Sequence, residues 1–270
     1  MWTRSDLKNF AKEALKRNYW KAVLVAFIFL VITGGVGNGV NQFNNNFGDN
    51  NFRNNGRYYE KEHITSYDDV KDIFSGQDFE KTVRNSVEGF IDPAFLAIFG
   101  FAFVVILVIV LAISIVGILI NAFLINPLMT GIQKFFVKDL YESANVKELA
   151  YGFDENYKNI VKVLFLRDLF NFLWSLLFIV PGIIKAYEYR MMVFIMTENP
   201  EMEAEEVFAL SKKMMTGQKW NAFVLDLSFL GWHILDAVTC GLLGIFFVTP
   251  YQLHTNAALY ESLKRNVSQA

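Results

Sequence analysis

Eight ionisable side chains of this 270-residue chain lie in or beside apolar runs, where a charge is costly unless it is paired or put to use. They are Arg167 and Asp168; Lys185, Glu188 and Arg190; and Asp226, His233 and Asp236. Lys185 and Glu188 stand at i and i+3, a spacing that lets them neutralise one another on one helix face. Asp226 and His233 are seven apart and Asp236 three further on, so all three share a face if the run is a single helix. Such a face could line a water-filled path or accept a proton, because histidine titrates near neutrality. Pairing of opposite charges across a helix bundle is the competing reading, and the one we adopt.

A second signal is proline. Leu124-Ile125-Asn126-Pro127, Phe178-Ile179-Val180-Pro181 and Phe247-Val248-Thr249-Pro250 each place a proline after an apolar run, with Gln133, Tyr187 or His254 a turn or two beyond. Proline frees a backbone carbonyl that another group must satisfy in an apolar medium, so these are candidate kinks. Broken helices of this kind also mark transporter binding sites. No catalytic constellation accompanies them. HExxH, GxSxG, Walker and GxGxxG patterns are missing, and His63, His233 and His254 are scattered. We expect no enzyme, no cofactor and no metal. Asp49, Asn51 and Glu60 match three positions of a calcium-loop template, but Arg53 and Asn54 break it.

The elements that must position these groups are membrane helices. The chain is 53% hydrophobic, and residues 93–133 carry no Asp, Glu, Lys or Arg, whereas a bilayer core needs only about 20 apolar residues in a helix. As one helix that run would be about 60 Å long, and we read one long span rather than two because no turn cluster interrupts Val104–Ile120. The formal charge of -2 leaves no basic footprint for nucleic acid. Cys240, the single cysteine, has no intrachain mate for a disulfide.

Residues 1–19 place Leu7, Phe10, Ala11, Ala14 and Leu15 on one face and Arg4, Lys8, Lys12, Lys16 and Arg17 on the other, predicting an amphipathic helix suited to a membrane surface. Span one follows over 20–40, read as uncleaved because no A-x-A site follows it; Gly35 and Gly39 stand at GxxxG spacing. Residues 41–92 form an Asn-rich, acidic loop, with a short helix expected over 67–90. Residues 93–270 hold five further spans: the uncharged run, Val161–Val180, Ile183–Met196, Trp220–Leu235 and Ala237–Tyr260. Basic residues crowd four connections, six of them in the first 21 residues and five over 134–162. All four face the cytoplasm under the positive-inside rule. The expectation is an all-α polytopic bundle of six transmembrane helices with both termini cytoplasmic, set in the lipid bilayer, with anionic lipid at its basic segments and a membrane protein or a second copy as partner.

The block Ser211-Lys212-Lys213-Met214-Met215-Thr216-Gly217-Gln218-Lys219-Trp220, continuing through Asp226 to Trp232, resembles a bacterial integral-membrane family, the domain of unknown function nine-seventy-five. Pro181-Gly182-Ile183-Ile184-Lys185 with Tyr187 and Tyr189, Pro250-Tyr251 with Tyr260, and the Leu7-Lys8, Ala11-Lys12 and Leu15-Lys16 pairs fit the same family. The resemblance implies a six-helix bacterial cell-membrane protein without assigned activity, and supplies no catalytic residues. The Pro-Gly hairpin is shared with a wider set that includes the membrane domain of some glycerophosphodiester phosphodiesterases.

Overall fold

A computed structural model describes residues 2–34 and 93–269, and among these every regular element is helical. The Gly35 and Gly39 pair, the Asn-rich loop, the calcium-template positions, His63 and the helix expected over 67–90 lie outside the described residues. The chain divides into two compact units, one of residues 51–118 and the other of residues 1–50 and 119–270.

In the smaller unit lies most of α3, Pro93–Ile120. Its side chains from Ile98 to Ile120 are apolar and exposed almost without break. Helix continues through Asp139, so that Ala97–Asp139 is long and apolar enough to cross a membrane, with a mean hydropathy of 3.5 in its most apolar window. The uncharged run is therefore helical throughout, interrupted only by a π turn at Asn121–Ile125, in keeping with the absence of a turn cluster over Val104–Ile120.

The larger unit begins with α1, Arg4–Arg17, capped by Thr3, whose hydroxyl accepts from the Asp6 amide at 3.2 Å. Its apolar face, Leu7, Ala11, Ala14 and Leu15, is buried. That face lies on the last helix, α12, Thr249–Ser268, so it is spent inside the protein rather than left free for a lipid surface. At Asn18 the chain turns into α2, Tyr19–Ile32. After α3 a π-helical turn, Asn121–Ile125, leads into α4, Asn126–Asp139. A 3-10 turn, Val146–Ala150, and α5, Tyr151–Asp154, fold back along α4. Both contacts require glycine: a Cβ on Gly131 would meet the Leu149 carbonyl, and one on Gly152 the Pro127 carbonyl, at distances no real Cβ adopts.

Helix α6, Tyr157–Leu177, reverses at the extended residue Phe178 into α7, Ile179–Glu188. The chain then runs through α8, Met192–Glu198, and α9, Ala204–Met215, to α10, Lys219–Leu227, and α11, Leu230–Val238. A second π turn, Gly244–Val248, opens into α12. The segments expected as spans four, five and six are thus each divided, at Tyr189–Met191, Ser228–Phe229 and Thr239–Leu243. The Ser228–Phe229 break also corrects the face drawn through Asp226, His233 and Asp236, because the seven-residue spacing crosses two helices.

Two of the three proline sites share one local geometry. Each π turn ends one residue before a polar-proline pair, Asn126-Pro127 or Thr249-Pro250. The carbonyl four residues before each proline has lost its helical N–H partner. Tyr157 donates its hydroxyl to the Phe123 carbonyl at 2.8 Å, and Tyr19 donates to the Phe246 carbonyl at 2.9 Å. Pro181 differs, standing in the first turn of α7 beside the apolar reversal at Phe178.

The core is pinned by Asp139 and His254, both 0% exposed. The Asp139 carboxylate accepts from Asn18 Nδ2 at 2.6 Å and from the Ala144 amide at 3.0 Å, and it meets His254 Nε2 at 2.9 Å. His254 Nδ1 lies 2.8 Å from the Pro250 carbonyl. Replacing Asp139 by Ala leaves the buried Ala144 amide and His254 Nε2 without a partner and Asn18 Nδ2 with the Ala144 carbonyl alone, and should lower unfolding free energy by about 3 kcal/mol. Denaturant titration in detergent checks this, and Asp139→Ala with His254→Ala should cost less than the two singles summed.

Candidate functional site

Six of the eight sequence-derived ionisable groups collect into three clusters. In the first, Arg167 Nε and an Nη approach Asp168 Oδ1 at 2.9 and 2.7 Å. Asn126 bridges the pair, donating to Asp168 Oδ2 at 2.7 Å and accepting from Arg167 at 3.1 Å. The residue before Pro127 thereby ties the start of α4 to α6.

In the second, Lys185 reaches Glu188 Oε1 at 2.8 Å, as the i, i+3 spacing requires, and Lys219 from α10 reaches Oε2 at 2.5 Å. Ser211 of α9 donates to the Glu188 carbonyl at 2.7 Å. In the third, Arg190 grips Asp226 with both guanidinium arms at 2.7 and 2.8 Å, the planar fork matching the carboxylate. Tyr187 donates to the same carboxylate at 2.8 Å, and Asn256 of α12 accepts from Arg190 at 2.8 Å.

His233 and Asp236 take no part in these clusters. The His233 side chain is exposed with no polar partner among the described residues, and Asp236 accepts the Gly244 amide, closing the turn after α11. Pairing therefore describes Arg167, Asp168, Lys185, Glu188, Arg190 and Asp226, and a shared path through Asp226, His233 and Asp236 has no geometric basis.

An open groove of about 620 Å³ lies where α4, α8 and α12 end, lined by Lys134, Lys138 and Lys264 and by Glu142, Glu198 and Glu261. Lys264 and Tyr260 both bind Glu198, at 2.6 and 2.7 Å, and Lys134 donates to the Thr197 carbonyl at 2.6 Å. Tyr141 donates to Glu261 at 3.0 Å. Burial and then the Glu261 carboxylate push the Tyr141 phenol above the usual tyrosine range. The hydrogen bond to Glu148, 2.7 Å long, and its charge hold Lys138 above the usual lysine value. These alternating charges largely satisfy one another. Among the described residues no group of three His, Cys, Asp or Glu side chains is placed to hold a metal.

Sequence reasoning did not find Asp139, Asn18 or the two tyrosine caps. The available signal was the Asn-Tyr dipeptide, at 18–19 and again at 156–157, each opening an apolar run.

Residues 176–267 match the family model described as protein of unknown function (DUF975), the family that the 211–232 block resembles. No curated protein and no solved structure matches the chain. The matched stretch contains the second and third clusters whole, whereas Arg167, Asp168 and Asn126 lie before it.

The clusters predict a particular mutational pattern. Arg190→Ala and Asp226→Ala should each destabilise more than the double variant, because each single leaves a charge without its counterion. Tyr157→Phe should cost about 1 kcal/mol by uncovering the Phe123 carbonyl, and reversible unfolding in lipid–detergent micelles would measure it.

Proposed function

We propose that this protein is a six-span component of the bacterial cell membrane that works without catalysis, as a scaffold or accessory subunit for envelope maintenance or transport by a membrane partner. The observation carrying the reading is the closure of its ion clusters: Asp226 is held by Arg190 and Tyr187, and Glu188 by two lysines. A carboxylate that carries protons or cations must exchange partners, and these are saturated within the protein.

Several features support six spans. Helix α6 has 21 residues, about 31 Å of rise, close to the thickness of a hydrocarbon core. Residues 219–238, through α10 and α11, would rise about 30 Å. The reversals at the far ends are apolar and exposed, Ile179 at 78% and Val238 at 76%. Water would oppose such tips, and hydrocarbon accepts them. At the opposite ends Trp20 and Trp220 are exposed at 74% and 71%, at the depth where indole prefers the interface. The basic residues of α1, the 134–162 segment and α9 would then meet anionic headgroups.

Single cysteines placed in a Cys240→Ala background test the arrangement. Asn54→Cys should react with an impermeant thiol reagent in intact cells, and Lys212→Cys only after permeabilisation; the reverse pattern would sink the topology. For the role, paired neutralisation of Asp226 with Arg190 and of Glu188 with Lys219 should leave a deletion strain's phenotype rescued wherever the variant accumulates to normal level. Loss of rescue by correctly folded variants, together with proton-coupled flux from the unaltered protein in liposomes, would establish a transporter instead.

A further inference from the structure

Arg4, Lys8 and Lys12 stand at i, i+4 and i+8 along α1, so their side chains share one face of that helix. Like charges at this spacing repel one another, and every ion pair among the described residues is made elsewhere. Lys8 is the informative member. It is half-buried, and its ammonium donates to the Ser228 carbonyl at 3.4 Å while lying 4.5 Å from the centre of the Phe229 ring. Burial, and then the positive charges of Arg4 and Lys12, pull it below the usual lysine range. A lysine on a merely solvated helix face keeps its charged head in water. This one is drawn inward between two like charges, and the described residues supply it with no anion.

Two rings fix where the charges stand. Lys12 Nζ lies 5.9 Å from the centre of the Tyr251 ring, and Phe229 and Tyr251 pack edge to face with centres 5.4 Å apart. Both rings are buried, at 1% and 2% exposed, so each ammonium is held on a rigid aromatic surface. Two cations seated on adjoining rings, with a third one turn back, match the charge and the clustered acceptor oxygens of a phosphate group. The same contact has an apolar shoulder. Leu227 and Leu230 flank Ser228–Phe229 and are each 52% exposed. A positive seat beside exposed leucines suits a phosphate that carries hydrocarbon chains, whereas a free phosphate ion gains nothing from the leucines.

We propose that Lys8 and Lys12, with Arg4 beside them, bind the phosphate of one anionic phospholipid, whose chains lie on Leu227 and Leu230. The site rests on the membrane reading given above, and adds to it one defined position in place of a diffuse basic surface.

Native mass spectrometry of the full-length protein in detergent, titrated with phosphatidylglycerol or phosphatidylcholine, tests this. The first phosphatidylglycerol should bind on the order of tenfold more tightly than the first phosphatidylcholine, and excess inorganic phosphate should not displace it. Lys8→Gln combined with Lys12→Gln should abolish the preference. Lys8→Arg combined with Lys12→Arg keeps both charges and should keep the preference, and melting of both variants in detergent checks that each is folded. A preference that survives in the folded glutamine variant, or that is absent from the unaltered protein, overturns the site. Displacement by inorganic phosphate overturns the lipid as its occupant. These outcomes leave the topology standing, whereas reversed labelling of Asn54→Cys and Lys212→Cys would remove the membrane arrangement itself.

Discussion

Everything in the larger unit hangs on one carboxylate that has no access to water. Asp139 ends α4, and its oxygens are met from the junction of α1 and α2, from the turn at Ala144 and from the middle of α12. A buried carboxylate without donors would cost several kcal/mol, so these segments can come together only in the arrangement that supplies all three. Arg17 adds its guanidinium to the Asp139 carbonyl, tying the end of α1 to the same point. Apolar contacts around it, such as Phe136 edge-on to the His254 ring, are non-directional and would tolerate sliding. The carboxylate supplies the direction.

Proline breaks show the same economy of polar groups in an apolar setting. Each of the two π turns makes one orphan carbonyl, and each orphan receives one tyrosine hydroxyl from the first residue of another helix. A kink is thereby converted into a contact between helices. Bends that would otherwise weaken the bundle instead fix which helices are neighbours.

The all-helical character of the molecule was legible in the sequence because hydropathy and charge are local: the uncharged run over 93–133, the amphipathic pattern of residues 3–19 and the Lys185–Glu188 spacing all reappear as helical structure. The breaks in spans four and five were not legible, because Tyr189–Met191 and Ser228–Phe229 contain no glycine or proline, and tertiary contacts decide them. Asp226 and Asp236 looked alike from spacing, yet one meets an arginine 36 residues back in the chain and the other a backbone amide eight residues on. Pairing between distant segments leaves no trace in a linear pattern. Asp139 was hidden for a related reason: it sits in an ordinary polar stretch, and only folding shuts it away.

The burial of α1 against α12 sets an order of events during synthesis. The first of these helices leaves the ribosome long before its partner exists, and it carries an apolar stripe that cannot stay in water. Completion of the fold is thus a late, long-range closure, slow in the way that contacts distant along a chain are slow.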